Sequence, residues 1–152
     1  MYLLLTHFCI IFKRTCVSAF NAHLPSELTQ LTHQLCQFLT LHNSYASYVR
    51  FERGARTFWH MHPLGQTLII VDGTGLTQAM NSDGSLGPIM AVKPGDAVIC
   101  PPGVTHWHGA SPDSPMTHLA ISESNPERPV VWKEALSEKS YVEGAMKALS
   151  TK

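Results

Sequence analysis

Residues 58–73 read FWHMHPLGQTLIIVDG, and this stretch decides the fold. His60 and His62 stand two apart; Pro63-Leu64-Gly65 follows, then Gln66 and an apolar run ending at Asp72-Gly73. In an extended strand residues two apart share a face, so one backbone conformation aims both imidazoles at the same spot. The Pro-Leu-Gly turn then reverses the chain and opens the next strand with Gln66 near that spot. Two imidazoles and an amide oxygen together suit a divalent first-row metal. An H-x-H pair alone is an ordinary feature of surfaces and cores, so the flanking sequence has to supply the meaning.

Working outward, short segments with strand character are separated by glycine and proline from residue 46 onward. SYVRFE alternates toward Gly54 and RTFWHMH toward Pro63; GLTQAM, IMAV, AVIC, THWHGA and MTHLAIS follow, divided by turns such as KPGD and PPGV. Short strands at this regular spacing predict an all-β sandwich or barrel. The flanks read differently. Leu28, Leu31, Leu35, Phe38 and Leu39 fall on one helical face after Ser26, which predicts a helix over about 26–42 within an atypical N-terminal extension, residues 1–45. The barrel is expected over 46–136. SEKSYVEGAMKALS, with Ser137 placed to cap it, predicts a C-terminal helix over 137–152.

A chain of 152 residues fits one domain with a real core. Its 11 basic and 11 acidic residues cancel, which argues against a nucleic-acid surface. Nine histidines instead direct attention to metal or acid–base chemistry. Cys9, Cys16, Cys36 and Cys100 form no C-x-x-C pair and read as buried thiols, which favours a reducing, cytoplasmic setting. The opening MYLLLTHFCIIFKRTC has an apolar run too short for a bilayer, and its positive charge follows that run. A buried element is the expected reading there, with an export or membrane-directing segment as the alternative; no membrane partner is expected.

The histidine pattern repeats. Gly54, five residues, His60, one, His62, three, Gln66, six, Gly73 makes one gapped motif; Gly95, five, Pro101, one, Gly103, two, His106 makes another. Together they resemble the two motifs of the cupin superfamily, which implies a small jelly-roll β-barrel around one metal. Carried over position by position, the ligands become His60, His62, Gln66 and His106. Gln66 stands where the first motif normally has glutamate, and Ala110 where the second normally ends in asparagine. GARTFWHMHPLGQTLII, PGDAVICPPGVTHWHGA and MTHLAISE further resemble small monocupins that include manganese-dependent hydroxynitrile lyases and carboxymuconolactone-decarboxylase-associated cupins; there glutamine is the usual third ligand.

That resemblance implies one divalent transition metal, Mn first, with Fe, Zn or Ni as other choices. It also implies a small-molecule substrate and a homodimer or homotetramer. A lyase of this kind would hold a cyanohydrin at the metal while a nearby group moves the proton. His118 and His108 are the candidate acid–base residues, with Thr57 as a hydrogen-bonding partner and Arg56 as a charge partner; Trp59, Trp107 and Ser122 are candidate pocket positions. Relatives carry glutamine where this chain has Ser122. Each residue also has a plain structural reading: His118 as a satisfied core histidine, Arg56 as a surface ion pair, Thr57 and the tryptophans as packing. An Fe-dependent oxygenase and a non-catalytic small-molecule or metal-binding module are the competing functions, since one fold hosts many.

Overall fold

The computed structural model describes residues 10–13, 32–35, 44–123, 127 and 130–150. Its elements in chain order are β1 (Ile10–Lys13), β2 (Thr32–Leu35), β3 (Ser44–Phe51), β4 (His60–Met61), β5 (Gln66–Gly73), β6 (Gly75–Ala79), β7 (Met90–Val92), β8 (Asp96–Cys100), β9 (Thr105–Ala110), β10 (Met116–Glu123), β11 (Val131–Trp132) and α1 (Glu138–Ser150). They form two antiparallel sheets, β1-β8-β5-β10-β3-β2 and β11-β4-β9-β6-β7. The expected jelly-roll is therefore what this chain forms.

Alternation places the core between the sheets. Phe51, Leu68, Ile70, Val98, Cys100, Ala110 and Met116 point inward from both sheets and pack as one cluster. β9 is buried along its whole length because both its faces are covered. His106, His108 and Ala110 face the interior, while Trp107 faces outward beneath α1 with Trp59, Leu76, Leu136, Tyr141 and Ala145. The helix is capped as expected: Ser140 N donates to Ser137 Oγ at 3.1 Å. Tyr141 Oη then donates to Ala110 O at 2.8 Å, tying α1 to the strand that carries the histidines.

Two expectations for the N-terminal region need correction. Thr32–Leu35 is strand β2, paired with β3 in the register Thr32↔Phe51 to Leu35↔Tyr48, and not part of a helix. A free sheet edge offers a full row of backbone partners, and that pairing overrides a local 3.6-residue stripe. The rest of 26–42 lies outside the described residues. Second, β1 and β2 join the two ends of the larger sheet, so described parts of 1–45 belong to the barrel and do not form a separate extension. Cys9, Cys16 and Cys36 lie outside the described residues; Cys100 is buried on β8. Among the described residues no helix is long and apolar enough to cross a membrane.

Candidate metal centre

The ladder of the smaller sheet puts His60 of β4 directly opposite His106 of β9. Their rings stand 4.4 Å apart, centre to centre, on the inward face. His62 follows β4, 5.3 Å from the His60 ring. The turn after it works as the sequence implies: Gly65 N donates to His62 O at 3.1 Å. Gly65 adopts φ +85°, a left-handed conformation that costs other residues free energy, and a Cβ there would press on Cys100 O at 3.0 Å. Gln66 thereby starts β5 facing the cluster from the other sheet. Among the described residues, His60, His62 and His106 offer ligand atoms that all lie within 4.8 Å of one another.

The hydrogen bonds fix which nitrogen each ring presents. A carbonyl only accepts, so the contact of His60 Nδ1 with Phe58 O at 2.9 Å requires Nδ1–H. The same holds for His106 Nδ1 and Val104 O at 3.0 Å. In the neutral rings Nε2 is left with a bare lone pair, the form a metal takes up. Burial keeps the rings neutral. It pushes His60 down to about 4 and, with the charge of His60 adding to it, His62 down to about 3. His106 is held well below the usual histidine value, by burial first and then by repulsion from His60.

This produces a telling contact. His106 Nε2 lies 3.1 Å from Gln66 Oε1, although its Nδ1 already faces a carbonyl. One neutral imidazole cannot donate from both nitrogens, and burial disfavours the doubly protonated form. Two lone pairs therefore face each other. A cation between them resolves the conflict; turning the Gln66 amide over would be the metal-free alternative. The donor set fits a divalent ion: imidazole nitrogens and a neutral amide oxygen, closely spaced and buried.

A second imidazole pair lies deeper in the barrel. His108 of β9 and His118 of β10 approach to 4.8 Å between ring centres, and His108 stands 5.2 Å from His60. Phe51 meets both edge-on, at 5.7 and 5.5 Å. His118 is fully enclosed, yet neither of its ring nitrogens has a hydrogen-bond partner, and His108 Nδ1 also lacks one. His118 therefore finds no hydrogen-bond partner among the described protein groups. Burial pushes it down to about 3 and holds His108 well below its usual value, with repulsion from His60 next in weight for His108.

The other expected site residues separate. Ser122 is paired with Gln66 across the β10–β5 ladder and is partly buried beside the centre. Thr57 Oγ1 accepts from His108 N at 3.1 Å and donates to His108 O at 3.2 Å, so it clamps the backbone of that histidine. Arg56 is not brought to the cluster. It pairs with Glu138 at 2.6 Å and lies 4.1 Å over the Tyr141 ring, fastening α1. Trp59 and Trp107, expected as pocket walls, pack instead under α1; Trp107 Nε1 donates to Gln78 Oε1 there at 2.9 Å. The aromatic residue that does meet the centre is Trp132 of β11, 4.9 Å from the His60 ring. A two-residue strand shows no alternation, so nothing in its neighbourhood announced it.

Two antiparallel sheets enclosing a cluster of neutral histidines define a small β-barrel with the makings of a metal centre. The chain belongs to the cupin family: the model of the Cupin domain matches residues 47–122. It is 47% identical over 93 residues to (R)-mandelonitrile lyase of Granulicella tundricola, an alignment spanning 61% of this chain and 67% of that protein. A cupin-like protein from Thermotoga maritima superposes with a TM-score of 0.61 at 40% identity, covering 67% of this chain and 73% of that one. Oxalate decarboxylase of Bacillus subtilis, at 22% identity and a TM-score of 0.52, covers 59% of this chain and 24% of its own and shares the fold.

Proposed function

We propose that this cupin is a metal-dependent lyase that cleaves a small cyanohydrin into a carbonyl compound and hydrogen cyanide. The observation that carries the reading is the juxtaposition of two sets of buried histidines inside one barrel. One set, His60, His62 and His106, gathers beside Gln66 with ligand atoms close enough to hold a metal ion; the other, His108 and His118, keeps buried ring nitrogens unpartnered. Identity of 47% to (R)-mandelonitrile lyase supports the same substrate class.

His60, His62, Gln66 and His106 would hold the ion, with Mn²⁺ our first choice and Fe²⁺, Zn²⁺ or Ni²⁺ as alternatives. With four neutral ligands it keeps its full charge and supplies Lewis acidity toward a hydroxyl or carbonyl oxygen. The protein's own groups move the proton. A neutral His118 offers one bare nitrogen and one N–H, so it can take the hydroxyl proton and return a proton to the departing group. The C–CN bond breaks with its electron pair on cyanide, the carbonyl forms, and the proton ends on cyanide. His108 packs against both rings, 4.8 Å from His118 and 5.2 Å from His60 between ring centres, and so spaces that base from the metal-ligating set. Thr57, clamping the His108 backbone, is a positioning residue.

The test is cyanide release from mandelonitrile by Mn²⁺-loaded protein, with His106→Ala as control. The reading predicts release that the substitution and chelation both abolish. Loaded protein releasing no more cyanide than buffer would end it.

A further inference from the structure

Trp132 is a site aromatic that the proton path does not use. It stands directly opposite His60 in the β11–β4 ladder, so both side chains project from the same face. The indole lies 4.9 Å from the His60 ring, inclined by 36°. His60 is only 1% exposed, whereas Trp132 is partly exposed. A partly exposed indole packed against this buried imidazole lies at the rim of the histidine cluster. The two residues after Trp132 are held by backbone bonds: Lys133 N donates to Trp59 O at 2.8 Å, and Trp59 N to Glu134 O at 3.0 Å.

The rest of the inner lining indicates what kind of ligand suits the site. The histidine set is polar and suits an oxygen-bearing group. The partly buried inward positions Val49 and Ala120 are small and apolar, and Phe51 closes the far end. A ligand with a polar head and a flat apolar body matches this division.

We propose that Trp132 is the wall that receives the flat apolar group of the substrate, which makes it a specificity-determining residue that favours aryl over non-aryl ligands at this site. This rests on the lyase reading in placing the substrate at the histidine set. Aromatic pairs add enough beyond plain burial to change affinity about two- to tenfold, and that is the contribution expected of the indole.

The experiment uses full-length Mn²⁺-loaded protein and benzyl alcohol, an aryl hydroxyl compound that carries no nitrile to lose, with isopropanol as the non-aryl probe. Trp132→Leu weakens benzyl alcohol about two- to tenfold and leaves isopropanol unchanged. Trp132→Phe restores the affinity. Tryptophan emission gives a second readout: benzyl alcohol alters it in the wild type and leaves it unaltered in Trp132→Phe, where Trp59 and Trp107 remain under the helix. Unchanged benzyl alcohol affinity in Trp132→Leu, or the same emission change in Trp132→Phe as in the wild type, overturns the assignment. Benzyl alcohol held by Trp132 in a protein that releases no cyanide would keep the wall and remove the lyase reading.

Discussion

Acidification should bring the metal-free protein close to unfolding. His60 is held at about 4, and His62 and His118 at about 3, all by burial first. In the unfolded chain each returns to the ordinary value of 6.5. Between these values the unfolded state binds protons that the folded state refuses, so stability rises with pH through this window. It is complete above about 6.5 and is lost as pH falls toward the folded values. Each pH unit below about 6.5 costs about 1.4 kcal/mol per histidine, so at about pH 5 the three together cost about 6 kcal/mol. His106 and His108 shift in the same direction. A domain of this size is stable by only about 5–15 kcal/mol, so the metal-free chain should be near unfolding at about pH 5. Urea denaturation of chelator-treated protein at about pH 7.5, 6 and 5 measures this through the midpoint. Saturating Mn²⁺ should move the acid transition lower, because it binds the folded state alone. A urea midpoint that stays level from about pH 7.5 to 5 would refute the reasoning, since the histidines would then be exchanging protons freely with solvent.

Other expectations follow from the same geometry. Gln66→Glu puts a carboxylate in the ligand set; metal should bind more tightly by competition dialysis, while cyanide release slows because the ion loses effective charge. His118→Leu removes ring nitrogens that are buried without partners, so thermal unfolding should show stability unchanged or raised by about 1–2 kcal/mol. Metal content should stay intact in that variant while turnover disappears; retained turnover would remove His118 from the mechanism.

Much of this was legible in the sequence because strand periodicity and turn chemistry agree. From residue 46 onward the alternating segments became β3 to β10, and the Pro-Leu-Gly turn placed Gln66 at the head of β5. Ser137 marked the helix start because an N-cap leaves a local signature. The misread elements depended on distant partners. Thr32–Leu35 carries a helical leucine stripe, but β3 offered it an edge. Trp107 could have been placed correctly, since the alternation that turns His106 and His108 inward turns the residue between them outward. Arg56 finds Glu138 some 82 residues away, a pairing no local pattern reveals. Trp132 lies on a strand of two residues, too short to show a face.

The central claim is a metal held by His60, His62, His106 and Gln66, and elemental analysis of the purified protein tests it most directly. Close to one divalent transition-metal ion per chain is expected, lost in His60→Ala and in His106→Ala and kept in His118→Leu. Metal content that is absent after Mn²⁺ loading, or that is the same in His60→Ala and His106→Ala as in the wild type, would contradict it.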